Sequence, residues 1–211
     1  MFTENFYIFI DGGSRMSKGI GAFSSVVLMN GLETDYIDQQ LSYDKGFKDV
    51  TNNQMELLAL VSSITRLYEA MYEQLSTAPE FDVKLHITVV SDSQYVIKGV
   101  NEYLPNWKIN GYKTSARKPI KNKELWLLTE QLLEMFSNVE FEFIWTKGHE
   151  SIVNGDYATI YNNMCDDNLN VVMNDIERGS ITEGLDYTLY TTSLIESIDN
   201  LAEGSVSNAQ W

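Results

Sequence analysis

Two apolar runs in the chain each stop at an aspartate. Phe6 to Asp11 (FYIFID) ends before Gly12-Gly13, and Lys84 to Ser91 (KLHITVVS) is followed by Asp92. Both runs have the aromatic and β-branched character of strands, and the carboxyl ends of strands are where open α/β sheets collect ligands. A third acid, Glu56, lies in Thr51-Asn52-Asn53-Gln54-Met55-Glu56, at the start of a helical pattern and beside its apolar stripe. Singly, each acid has an ordinary explanation: a turn or cap for the aspartates, a favourable helix-dipole contact for the glutamate. Several carboxylates converging on one small space are another matter. They repel and partly protonate unless hard divalent cations, which prefer oxygen, neutralise them. Cys165 is the one cysteine, which excludes an intrachain disulfide, a cysteine zinc finger and an iron–sulfur cluster. With two histidines besides, His86 and His149, any metal must be sought among the carboxylates.

The elements that would hold these acids follow from periodicity. After the first strand, Ala22 to Asn30 and Leu32 to Tyr43, separated by Gly31, read as two more strands of a meander. Leu57, Leu58, Val61, Ile64, Tyr68, Met71 and Leu75 then recur at three- and four-residue steps, predicting a long amphipathic helix that ends before Pro79. The strand before Asp92 is followed by helical patterns over Ser93 to Leu104 and Asn122 to Phe136. Val139 to Trp145 (VEFEFIW) is a fifth strand leading into Lys147-Gly148-His149, and a last helix is predicted from about Ile160 to Glu177. Three successive strands and two helix–strand units imply an α/β fold with a mixed five-stranded sheet flanked by helices on both faces. Residues 1–177 form the expected folded domain and residues 178–211 an acidic extension outside it.

With 211 residues, 44% hydrophobic and 21% charged, the chain has the composition of a folded globular protein. No apolar run is long enough to cross a membrane and the N-terminus lacks the regions of a signal peptide, so a cytoplasmic protein with no membrane partner is expected. The net charge of −15 argues against a wholly basic nucleic-acid-binding surface. Its distribution tells more. Lys108, Lys113, Arg117, Lys118, Lys121 and Lys123 lie in a segment, 103–123, without a single acid. From Val171 onward acids dominate and Arg178 is the one base.

The segments FIDGGS, TNNQMELLAL, SDSQYVIKG, NWKINGYKT with KPIKN and LW, WTKGHE and NNMCDDNL occur in this order. Together they closely resemble type 1 ribonuclease H of the bacterial kind, over roughly residues 5 to 172. The resemblance implies a ribonuclease H-like fold and an endonuclease that hydrolyses the RNA strand of RNA–DNA hybrids. Asp11, Glu56, Asp92 and Asp166 become the metal-binding carboxylates for two Mg2+ ions, with Mn2+ able to substitute, and the products carry 5'-phosphate and 3'-hydroxyl ends. His149 matches the histidine associated with proton transfer or product departure, a role suited to an imidazole near neutral pH; His86, inside a strand, is read as structural. Gly12, Asn52, Asn53 and Gln94 match positions that sense the 2'-hydroxyl in the minor groove. Thr51 matches a position that grips a DNA-strand phosphate, although Asn52 and Asn53 also suit a helix cap. The basic segment resembles the family's handle, in which Lys108 and Lys113 neutralise phosphates while Trp107 and Tyr112 supply packing or sugar contacts.

The chain departs from the family pattern at Ser17-Lys18, where Asn-Pro is usual, and in a longer segment between His149 and Asp166. Asp167 and Asp156 therefore remain open as alternative fourth ligands. The extension has no counterpart in the minimal enzyme; a monomer is expected, with the extension available to a protein partner. A binding module that grips hybrids without cutting them would lack one of the core carboxylates, and all are present. A resolvase, transposase or proofreading exonuclease would share the fold but lack the handle and the TNN segment.

Overall fold

A computed structural model describes residues 2–29, 39–77, 83–136, 138–148 and 157–208. Five strands, β1 (Phe2–Arg15), β2 (Ile20–Met29), β3 (Gln39–Lys48), β4 (Val83–Ser91) and β5 (Val139–Trp145), form one sheet in the order β3-β2-β1-β4-β5. The first three are antiparallel neighbours, whereas β4 runs parallel to both β1 and β5. The mixed sheet expected from the sequence is thus present.

Side chains alternate across β1. Ile8 and Ile10 enter the larger core, shared with α1 (Asn52–Thr77) and α4 (Lys123–Glu134). Phe9, between them, faces the opposite side and packs with Tyr161 and Cys165 of α5 (Tyr157–Arg178). Helices therefore cover both faces. A sixth helix, α6 (Tyr187–Asn208), joins α1 and α4 by burying Leu194, Ile198 and Leu201 in the larger core. Among the described residues no helix is long and apolar enough to cross a membrane.

Three elements differ from their sequence reading, each for a local reason. β1 does not stop at Gly12-Gly13 but continues to Arg15, because Asp11 to Arg15 pair with Ser24 to Ile20 in the hairpin. β3 begins at Gln39 and extends to Lys48, beyond the expected end at Tyr43; Asp44-Lys45-Gly46 carries little apolar signal. Gly31, the expected turn, and residues 32–38 lie outside the described residues. The helix expected over Ser93 to Leu104 is divided into α2 (Gln94–Lys98), a π-helical turn (Gly99–Tyr103) and α3 (Leu104–Ile109). The break begins at Gly99, where the Trp126 indole lies so close to the backbone that any Cβ would collide with it.

Candidate active site

The four matched carboxylates come from four elements that meet where β1 and β4 part company. Parallel pairing between these strands ends at Phe9 and Val90. Two residues on, Asp11 still lies in β1, whereas Asp92 follows the end of β4 and precedes α2. Glu56 approaches from α1 because Gly12 lets the helix close on the strand; a Cβ at Gly12 would collide with the Glu56 backbone nitrogen. Asp166 projects from α5, on the other face of the sheet.

Asp11 is 9% exposed and accepts a 2.7 Å hydrogen bond from the Gly12 amide. Burial, reinforced by the negative charges of Asp92, Asp166 and Glu56, raises its pKa from 3.8 to about 8 despite that bond. Glu56 is raised too, chiefly by burial, with Asp92 adding to the shift. Its carboxylate is held by two donors: the Ser93 hydroxyl at 2.6 Å and the Asn52 amide at 2.8 Å. The Trp145 indole donates to the Asp92 carbonyl at 2.9 Å, tying the loop after β4 to the end of β5. Gly148 lies against the Asp92 carboxylate so closely that a side chain there would displace it.

On the fourth acid the geometry is informative. The charge of Asp166 helps to raise the Asp11 pKa, and its carboxylate accepts a 3.2 Å bond from the Asn170 amide, whose oxygen in turn accepts from Arg15 at the end of β1. Asp167, the next residue along the helix, is exposed. Asp156 and His149 lie outside the described residues. As they stand, no three His, Cys, Asp or Glu side chains among the described residues are grouped closely enough to hold one ion. The four acids nevertheless form an all-oxygen donor set with an excess of negative charge, which fits hard divalent cations.

The face around the acids holds the other matched residues. Thr51, not the asparagine pair, caps α1. It forms a capping box with Gln54, whose oxygen accepts from the Thr51 amide at 2.8 Å and from its hydroxyl at 2.9 Å. Asn52 accepts from the Ser14 amide at 3.1 Å while donating to Glu56, so it latches β1 to the helix. Asn53 and Gln94 are exposed.

In the basic segment the aromatics serve as anchors. Trp107 stacks edge-on against Trp126 at 5.1 Å, and Tyr112 is buried with its hydroxyl donating to Glu130 at 2.5 Å. Lys108 pairs with Glu134 at 2.6 Å and Glu130 at 2.9 Å. The exposed cations are therefore carried mainly by the loop beyond, where Lys113 bridges to Pro119 and Arg117 adopts a left-handed turn. Lys113, Arg117, Lys118 and Lys121 all face solvent there. Sequence reasoning missed Ser93, Asn170 and Gly148. Ser93 had a readable signal, since a serine directly before a helical run is a favoured cap.

Comparison with known proteins shows what class of protein carries this five-stranded mixed sheet with acids from β1, α1, α5 and the end of β4. The sequence model of the family described as RNase H matches residues 3–171. The ribonuclease H of Francisella philomiragia is 33% identical over 151 residues, covering 71% of this chain and 84% of that one. That of Francisella tularensis subsp. novicida is 31% identical, covering 71% and 83%. In fold, the chain is similar to the RNase H domain of prototype foamy virus, with a TM-score of 0.53 at 21% identity over 80% of this chain and 92% of that one. The chain belongs to the ribonuclease H family, the nucleases of RNA–DNA hybrids.

Proposed function

We propose that the chain is an endoribonuclease that cuts the RNA strand of RNA–DNA hybrids, leaving 5'-phosphate and 3'-hydroxyl ends, with catalysis assigned to residues 1–177. The observation that carries this reading is the convergence of Asp92, Asp166 and Glu56 on the buried Asp11. Asp11, Glu56, Asp92 and Asp166 would hold two divalent cations, which when bound supply a nucleophilic hydroxide and stabilise the leaving oxygen.

The chain's own groups do the rest. Ser93 and Asn52 fix both oxygens of Glu56, so the carboxylate is oriented before substrate arrives. Asn170 donates to one carboxylate oxygen of Asp166 and to its backbone carbonyl. Gly12, Asn52, Asn53 and Gln94 are assigned to sensing the 2'-hydroxyl in the minor groove, which distinguishes RNA, and Thr51 to gripping a phosphate of the DNA strand. Lys113, Arg117, Lys118 and Lys121 form a cationic tip for the phosphates of the paired strand. Among solved structures similar in fold, a foamy viral protease–reverse transcriptase has been seen with an RNA/DNA hybrid, with a TM-score of 0.52. His149 is assigned to proton transfer or product release.

Matched hybrid, RNA duplex, DNA duplex and single strands, each incubated with Mg2+ and with chelator, test the reading. Only the hybrid is expected to be cut, only with metal, and the 3' ends should be extendable by a polymerase. Cleavage in chelator, or equal cleavage of RNA duplex, would overturn it.

A further inference from the structure

Beyond residue 171, where the family match ends, the chain turns back and sets the start of α6 against the end of β3. Between them lies a groove of about 770 Å3, lined by Lys45 and Lys48 on one side and the half-buried rings of Tyr187 and Tyr190 on the other. Its two walls are tied together. The Lys48 amide donates to the Leu185 carbonyl at 3.0 Å, and the Tyr187 and Tyr190 rings pack on Phe47 at 6.0 and 5.1 Å. Gly184, at φ 68°, carries the chain past Lys45, and a Cβ there would lie only 3.1 Å from the Lys45 ammonium.

The groove holds two cations and two acids, and the acids are turned to other tasks. Asp186 caps α6, its carboxylate accepting from the Leu189 amide at 3.0 Å. Asp49, at φ 55°, folds back over the turn before β2, with its Oδ1 at 3.3 Å from where a Cβ of Gly19 would sit. The lysines are not so engaged. Lys18, Lys84 and Lys108 each pair with a glutamate, whereas neither Lys45 nor Lys48 takes part in an ion pair among the described residues. Lys45 instead rests its ammonium 5.9 Å over the Tyr190 ring. Two cations without counter-charge, in a groove on an acidic protein, suit a polyanion. Lys48 is also three residues before Thr51, so the two Cα atoms are at most about 11 Å apart. At about 3.4 Å of rise per nucleotide, a strand held by its phosphate at Thr51 reaches Lys48 within about three nucleotides.

We propose that this groove is a second phosphate-binding track, in which Lys45 and Lys48 take the backbone of the DNA strand two or three nucleotides beyond the phosphate held at Thr51. The docked extension thereby lengthens the contact with the hybrid. This rests on the hybrid-nuclease reading, which assigns Thr51 to the DNA strand. The test measures hybrid binding by the full chain in chelator across a salt series. It compares wild type with Lys45→Gln/Lys48→Gln, with Lys45→Arg/Lys48→Arg, and with Lys84→Gln, whose ammonium is paired with Glu140 at the end of β4 remote from Asp92. The Gln pair is expected to lower the slope of log K against log salt by about 1 to 2 and to weaken binding at low salt by about 3- to 30-fold. The Arg pair and Lys84→Gln should keep both, and all should melt within about 2 °C of wild type.

Uncharged methylphosphonate linkages in the DNA strand should close the gap between wild type and the Gln pair, and the same linkages in the RNA strand should not. Equal slopes for wild type and the Gln pair, or a gap closed only by neutralising the RNA strand, overturns the proposal. Cleavage with Mg2+ is scored separately: if the wild type cuts no hybrid, the nuclease reading falls, and the slopes in chelator still decide whether the groove takes a DNA strand.

Discussion

Asp11→Asn should separate stability from catalysis and move them in opposite directions. Burial, then the charge of Asp92, raises the Asp11 pKa from 3.8 to about 8 in the folded protein. The unfolded chain releases this proton near the ordinary value, so the metal-free fold retains a proton that the unfolded state has lost. Stability accordingly falls as pH rises through the window from 3.8 to about 8. At about 1.4 kcal/mol per pH unit, the ceiling at pH 7 is about 4 kcal/mol; water reaching the partly exposed Asp92, Glu56 and Asp166 lowers this to about 1 to 3 kcal/mol. Asparagine has nearly the same shape, can still accept from the Gly12 amide and carries no charge, so it should recover that amount.

For a chain of this length the gain corresponds to a rise in melting temperature of about 2 to 10 °C. Thermal unfolding of wild type and Asp11→Asn in chelator, at pH 5 and pH 8, measures it. The advantage of the variant should be larger at pH 8, and added Mg2+ should narrow it by stabilising the wild type alone. Hybrid cleavage by the variant should fall by several orders of magnitude. A variant that melts no higher than wild type at pH 8 in chelator, or by the same margin at both pH values, would refute the claim that burial and neighbouring charge penalise an ionised Asp11 in the metal-free fold.

Other substitutions discriminate among the remaining assignments. Asp166→Asn should reduce turnover far more than Asp167→Asn in the same cleavage assay, because Asp166 is coupled to Asp11 and Asp167 faces solvent. Lys113, Lys118 and Lys121 changed together to Gln should flatten the salt dependence of hybrid binding by about 0.9 in log K per log salt for each phosphate that is no longer neutralised. Lys108→Gln should leave that slope nearly unchanged, since Lys108 is held by Glu130 and Glu134. Deleting residues 180–211 should lower the melting temperature by more than about 10 °C. It removes Leu194, Ile198 and Leu201 from the core, at about 1.5 to 3 kcal/mol for each buried side chain.

What could be read from the sequence was set by how locally each feature is encoded. The acids Asp11, Asp92 and Glu56 sit at changes of periodicity, which are visible along the chain. Their supports are not: Asn52 reaches Glu56 within one helix, but Ser93 reaches it from 37 positions away, and no pattern in the sequence marks that pair. The handle was legible as charge, and half of its meaning was hidden. Lys108, Trp107 and Tyr112 look like ligand contacts in a basic run, and the acids that engage Lys108 and Tyr112 lie on α4, outside the run.

The C-terminal extension is where composition misled most. Its acidic balance suggested a segment apart from the core, yet α6 is amphipathic and its apolar face has a waiting surface on α1. That surface left a trace of its own. Ser62, Ser63 and Thr65 are buried at positions of α1 where a solvent-facing helix would carry charged residues. Ser63 and Thr65 turn their hydroxyls back to the helix carbonyls, while Ser62 accepts from Tyr190. Small polar residues that can be satisfied within a helix or by one partner hydroxyl permit close approach of a second helix, whereas long charged ones would hold it off. A run such as Val61-Ser62-Ser63-Ile64-Thr65 in a long helix therefore argues for cover on more than one side, and the length of chain after α5 supplies it.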